Sequence, residues 1–364
     1  MLLWSLLVDR VHRLPETGII WGGAGRSWRE DCAGAATKLA ALWTFWGLIA
    51  LCYFAGRWYW QPPYLAAMQL LMRVAGPLLL LSIPYLLLLE RRLIAPRDEL
   101  WQAGRLILGR DWDRPGAHAA LAAQARAWAV KGFFLAFMLA IVPGNWGQVM
   151  ALAPAAWRDS SVALAEGLIA IMFLIDVMLA TVGYALTLRP LASHIRSANP
   201  YAAGWTAALI CYPPFVLMTA GGPLDYGPGL GHYDRWLAGH PLLLALNAFA
   251  LIALTACYAW ATIAFGLRFS NLTHRGILTH GPYRWLRHPA YVSKNLFWWL
   301  SAWPFLAASG VWSDAVRNTL LLALVSLVYF WRARTEERHL GADPAYRAYS
   351  AWIARHGLFA RRGA

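Results

Sequence analysis

Residues 273–291 read THRGILTHGPYRWLRHPAY, and residues 332–349 read RARTEERHLGADPAYRAY. About forty residues separate them, mostly apolar and interrupted once near 308–314. An apolar stretch of that length, broken once, reads as two membrane-spanning helices joined by a tight turn. Two spans return the chain to the side it left. The two polar stretches are therefore expected to meet at one membrane face and to form a composite site.

The composition supports a membrane setting. Of 364 residues, 59% are hydrophobic and 14% charged, whereas soluble domains carry about 25% charged residues. Several apolar runs are long enough to cross a bilayer. The expected fold class is all-α: a polytopic helical membrane protein of about eight spans, at 39–55, 66–89, 132–142 (reaching 152 if Pro143-Gly144 is a kink), 162–188, 201–220, 242–265, 295–308 and 315–331. The Pro62-Pro63 pair turns the chain between the first two spans. The N-terminal MLLWSLLVDRVHR has a short apolar run with no basic region before it, and is not read as a signal peptide.

The net charge of +14 is explained by topology and not by nucleic acid, because the basic residues sit in loops between apolar runs. Segments 1–38, 90–131, 189–200, 268–294 and 332–364 hold 27 of the 32 Lys and Arg residues. The other five are Arg57, Arg73, Arg158, Arg235 and Arg317, in or near the alternate loops. Under the positive-inside rule both termini and both polar stretches face the cytoplasm. Heavy Arg, Ala and Trp usage with three Lys hints at a GC-rich bacterial genome, which makes the expected location the bacterial cytoplasmic (inner) membrane. Three segments follow: 1–38, cytoplasmic; 39–266, a six-helix membrane region with a basic interfacial stretch at 90–131; and 267–364, a core carrying the site. The lipid bilayer is the one partner expected from these features, with no obligate protein partner.

Cys32, Cys52, Cys211 and Cys257 form no CxxC pair, and three of them lie in apolar runs, so neither a disulfide framework nor a zinc site is expected. The ten His supply no HExxH-like spacing, and G-x-G-x-x-G and P-loop patterns are absent. No metal is expected. Glu166 and Asp176 lie inside an apolar run and must face protein or water. They are read either as pairing with Arg73 or with a neighbouring helix such as that of Asn247, or as a substrate or proton pathway.

In Arg287-His288-Pro289, the proline restricts His288 to extended geometry and lacks an amide donor of its own. His288 is expected outside the helix, at the mouth of the seventh span. Arg332 and Glu336 share a helix face, as do Tyr346 and Tyr349. Singly, these features also fit a charged stop, a solvated Glu336-Glu337 face and an aromatic belt.

Together, the order G-x-Y-x-x-x-R-H-P-x-Y, a two-span hairpin, R-x-R-T-E-E-x-x-L and Y-x-x-Y resembles the isoprenylcysteine carboxyl methyltransferase family and its phospholipid methyltransferase-like relatives. The resemblance covers about residues 268–359. It implies transfer of a methyl group from S-adenosyl-L-methionine to a hydrophobic or membrane-borne, lipid-like acceptor. Carried over by position, it implies cofactor contacts from Arg275, Gly276, Ile277, Leu278, Tyr283, His288, Pro289, Ala290, Tyr291 and Glu336, with Arg332 on the substrate side. Arg332 and His288 are the candidate catalytic residues, and Lys294 and Arg334 join Arg332 in making the substrate side basic.

The chain departs from the family pattern at Ser293-Lys294, in the 353–359 ending IARHGLF, and around 268–271, where an upstream glutamine has no equivalent. These departures concern the substrate side more than the cofactor side. Two other classes stay open: an NADPH-dependent sterol-reductase-like enzyme with a similar hairpin, and a transporter or membrane assembly protein keeping the fold without the cofactor.

Overall fold

A computed structural model describes residues 2–360, apart from Ala24, Trp58, Tyr59, Gln61, Pro63 and Asp159, and describes Trp4 by its backbone alone. Half of the expected Pro62-Pro63 turn and the end of the Arg-rich tail thus lie outside the described residues. The helices are α1 (Leu2–Leu7), α2 (Trp28–Gly56), α3 (Tyr64–Glu90), α4 (Glu99–Ile107), α5 (Ala117–Met150), α6 (Ser161–Ala185), α7 (Ala202–Leu209), α8 (Tyr233–Trp236), α9 (Pro241–Phe265), α10 (Pro289–Ala302), α11 (Trp312–Leu340) and α12 (Pro344–His356). Strands β1 (Ser197–Ala198) and β2 (Thr273–His274) form one antiparallel pair, with Ser197 opposite His274. The protein is an all-α polytopic membrane protein.

Helices α2, α3, α5, α6, α9 and α11 are long and apolar enough to cross a membrane. The other two expected spans are not long helices. In the fifth, α7 ends after eight residues, and Pro213 and Pro214, which have no amide donors, prevent its continuation. In the seventh, α10 starts at Pro289 and stops at Trp303, whose φ of 42° lies in the left-handed region. Fourteen residues measure about 21 Å, less than the roughly 30 Å hydrocarbon core.

Both segments nevertheless run beside α11. The guanidinium of Arg338 lies 4.0 Å from the Tyr201 ring, and that of Arg332 lies 5.5 Å from the Tyr212 ring. Arg317 and Asn318 donate to the carbonyl of Pro228, at 2.8 and 2.9 Å. From Arg338 to Arg317 is 21 residues, about 32 Å of helix. Residues 201–228 therefore traverse the thickness of a bilayer mostly without helical hydrogen bonds. Such backbone is tolerated at membrane depth where it is buried in protein or lines a water-filled cavity.

The chain divides into two compact units that interleave along the sequence. One comprises Met1–Ile141, Thr181–Pro200 and Leu267–Arg275, and the other comprises Val142–Ala180, Tyr201–Gly266 and Gly276–Ala364. In the first, a capping box between Ser27 and Glu30 starts α2, and the Asp98 carboxylate caps α4. Ala35, Leu86, Leu89 and Leu93 pack where α2 meets the end of α3. Beside them the buried Lys38 ammonium sits 2.7 Å from Glu90 Oε2 and 3.3 Å from Asp98 Oδ2, and Arg189 reaches Asp98 at 3.3 Å. Arg26 donates to the carbonyls of Glu90 and Leu93 and pairs with buried Asp31. Gly104 on α4 lies so close to α2 that a Cβ there would collide with the Thr37 carbonyl.

Removing one partner of a buried charge network costs about 3–5 kcal/mol, because the charges left behind remain desolvated. Lys38→Met should therefore lower the unfolding midpoint of purified protein by many degrees, and Gly104→Val should lower it through overpacking. An unchanged midpoint in Lys38→Met would show that the network does not hold this unit together.

Candidate functional site

The second unit brings the two polar stretches together. Pro289 occupies the first turn of α10 and His288 is the residue before it, with φ −130° and ψ 61°, outside the helix. The preceding segment is pinned from below. Leu278 and Tyr283 are buried against Ala261 of α9 and Tyr346, Tyr349 and Ile353 of α12, with Ile277 and Ala290 packed around them. The Tyr349 hydroxyl donates to the carbonyls of Tyr283 (2.7 Å) and Leu286 (3.3 Å), and the Leu358 amide donates to Trp285. Burial pushes the Tyr349 phenol up to about 12, against the opposing pull of Arg287, so it remains a donor at neutral pH. Tyr346 and Tyr349 share one buried face of α12, which starts with Asp343 capping the Ala345 amide and Pro344 in the first turn.

The end of α11 faces this turn. His288 Nε2 lies 3.2 Å from Glu337 Oε1, and its Nδ1 lies 3.8 Å from Glu336 Oε2. The Tyr291 hydroxyl donates to Glu336 Oε2 at 3.1 Å, and its ring stacks on His288 with centroids 5.5 Å apart and planes 3° from parallel. Arg287 reaches Glu337 Oε1 at 3.1 Å, and Arg334 reaches its Oε2 at 2.8 Å. Glu337 thus receives three side chains from two segments of the chain. Glu336 is engaged through one oxygen, and its side chain is about a third exposed.

One turn deeper on α11, Arg332 is buried in aromatic rings: Tyr212 at 5.5 Å, and Tyr291 and Tyr329 each at 5.1 Å. Lys294 of α10 also lies against Tyr329, at 5.6 Å, and against Tyr258 (5.7 Å) and Trp298 (5.3 Å). Asp176 is buried in α6 and accepts from the hydroxyls of Tyr258 and Thr262 on α9. Its partner is therefore the helix that carries Asn247, through residues other than Asn247. Glu166 instead is exposed, 3.8 Å from His232.

The structure thus gathers His288, Tyr291, Glu336, Arg332, Arg334 and Lys294, with Pro289 and Ala290 in the first turn of α10. Arg334 is mostly exposed and turned onto Glu337, away from the aromatic cluster. Arg275 belongs to the other compact unit, where its buried guanidinium donates to the carbonyls of Ser193, Gly183 and Phe269. That side chain braces the β1–β2 region. Gly276, with φ 114°, occupies a backbone conformation suited to glycine.

Six further residues belong to the cluster: Arg287, Glu337, Tyr212, Tyr258, Trp298 and Tyr329. Glu337 carried a signal, since it lies three residues after Arg334 and shares its helix face. Trp298 and Tyr329 are likewise in register with Lys294 and Arg332. Tyr212 and Tyr258 come from distant segments and carried none.

Among described residues no group of three or more His, Cys, Asp or Glu side chains could hold a metal ion. No curated protein and no solved structure matches the chain. Residues 243–342, which run from α9 through α10 and α11 and include every residue of the cluster but Tyr212, match the model of the isoprenylcysteine carboxyl methyltransferase (ICMT) family.

Proposed function

We propose that this protein transfers a methyl group from S-adenosyl-L-methionine to a hydrophobic or membrane-borne acceptor, at a site facing the cytoplasm. The observation that carries the reading is the half-engaged carboxylate of Glu336, held beside His288 and Tyr291 within the family-matched segment. The cytoplasmic orientation is supported by the asymmetry of Lys and Arg between alternate loops.

The residues present fit the group. Glu336 retains acceptor capacity for ribose hydroxyls or an ammonium. The guanidinium of Arg287, partly exposed, suits a carboxylate. Electron-rich tyrosine faces suit a sulfonium. When bound, S-adenosyl-L-methionine supplies an electrophilic methyl carbon on that sulfonium.

The chain's own residues then have separate tasks. Glu337 anchors His288, and with it the start of α10, to the end of α11, so that Tyr291 and Glu336 keep a fixed spacing. His288 presents its two ring nitrogens to two carboxylates and holds the turn that would bind the cofactor. Arg332 stands one turn deeper, where its charge can orient a nucleophile approaching from the membrane. The rings of Tyr212, Tyr291 and Tyr329 wall that approach and exclude water. Methyl transfer is an in-line displacement, so alignment and dryness supply much of the acceleration. A thiolate or carboxylate acceptor would need no general base.

Calorimetry on purified protein tests the reading. A charge-assisted hydrogen bond contributes about 1.5–3 kcal/mol, about a ten- to hundredfold change in affinity. His288→Ala and Glu336→Ala should each weaken S-adenosyl-L-methionine binding by that factor. Glu337→Gln should weaken it about tenfold by loosening the His288 turn. Tight binding of NADPH instead would favour a reductase, and binding of neither would leave the transporter or assembly reading.

A further inference from the structure

The site residues are arranged in layers. On α10, below His288 at its start, Tyr291, Lys294 and Trp298 follow at intervals of three or four, so they share a face. On α11, Glu336, Arg332 and Tyr329 do the same. Lys294 is six residues beyond His288, about 9 Å deeper along the helix axis, and Arg332 is about 6 Å deeper than Glu336. The acids therefore occupy the outer layer, Arg332 the next, and Lys294 the deepest, with Tyr329 in contact with both cations.

The deepest layer is not built for an apolar tail. The Lys294 ammonium has three donors and makes no hydrogen bond or ion pair among the described residues. Its neighbours there are the faces of Tyr258, Trp298 and Tyr329. Ring faces recover part of the hydration a desolvated ammonium loses, and an anion is needed for the rest. Asp176, the acid in this layer, is close enough to act on the Lys294 charge, but its oxygens are turned onto the hydroxyls of Tyr258 and Thr262 and make no direct ion pair with the ammonium. A hydrocarbon chain placed against Lys294 would leave its three donors without acceptors, with only the ring faces and the nearby Asp176 charge to offset the lost water, whereas a carboxylate or phosphate would accept from them directly.

We infer that Lys294 is a specificity-determining residue that binds an anionic head group of the methyl acceptor, one layer below the Arg332 position, so that the acceptor is an acidic amphiphile anchored by charge and not an uncharged lipid held by its tail. The inference deepens the methyl-transfer reading and depends on it for the identity of the ligand as an acceptor. Tyr258 and Trp298 would then be positioning residues that keep the ammonium extended towards the ligand.

The test is equilibrium binding of radiolabelled dodecanoate, dodecyl phosphate and dodecanol to the full-length protein in nanodiscs of zwitterionic lipid. At least one of the two acids should bind tenfold or more tightly than the alcohol, and which acid does so separates a carboxylate from a phosphate. Lys294→Met should abolish the preference, Lys294→Arg should keep most of it, and both should bind S-adenosyl-L-methionine as the parent does. Equal binding of acids and alcohol by the parent protein overturns the inference without recourse to any variant, and so does an acid preference that survives Lys294→Met. Failure of the parent to bind S-adenosyl-L-methionine, with the acid preference intact and dependent on Lys294, would defeat the methyl-transfer reading and leave the anion site standing.

Discussion

The second compact unit depends on a clasp of charge between the start of α10 and the end of α11. Glu337 accepts from His288, Arg287 and Arg334, and Glu336 accepts from Tyr291. Were these groups on a solvated helix face, each pair would contribute little. Here all but Arg334 are partly buried, and they are held by elements with little freedom: a proline-fixed turn on one side and the last turns of a long helix on the other. The clasp sets the register between α10 and α11. It thereby decides which ring faces Arg332 and which face Lys294, so the deeper layers inherit their geometry from it.

The first unit meets the same physical problem by the same means. Lys38, Glu90, Asp98 and Arg189 come from α2, α3, the cap of α4 and the turn after α6, and they compensate one another, with Lys38 and Glu90 out of contact with water. In both units the charges cluster near helix ends, where an apolar run gives way to a polar segment. Such pairing offers little net stability over an apolar core, but it specifies which helix ends meet. In a chain this rich in interchangeable apolar faces, that specificity matters more than the energy.

The long helices were legible in the sequence because apolar length alone identifies them, and the clasp was legible because its parts lie in two short motifs. The broken crossing at 201–228 was not. Its apolar composition is that of a span, while its backbone is governed by Pro213, Pro214 and the partners α11 offers. Arg275 shows a different limit. Its position within a motif said nothing of its side chain, which folds back onto three carbonyls of the other unit. Tyr212 and Tyr258 were invisible because an aromatic cage assembled from distant segments leaves no local spacing to read.

The stretch from α7 to Pro228 also bears on how the protein is made. Helices form their own hydrogen bonds on entering the bilayer, so α2, α3, α5 and α6 can be inserted as they emerge from the ribosome. Residues 210–228 cannot, since the Pro228 carbonyl waits for Arg317 and Asn318, and the Tyr212 face waits for Arg332. Those partners are synthesised some ninety to one hundred and twenty residues later. Synthesis of α11 is therefore the committing event in assembly: until it arrives, this segment has to be sheltered at the translocation machinery or at the membrane edge, and any chain that ends before α11 carries an unfinished crossing.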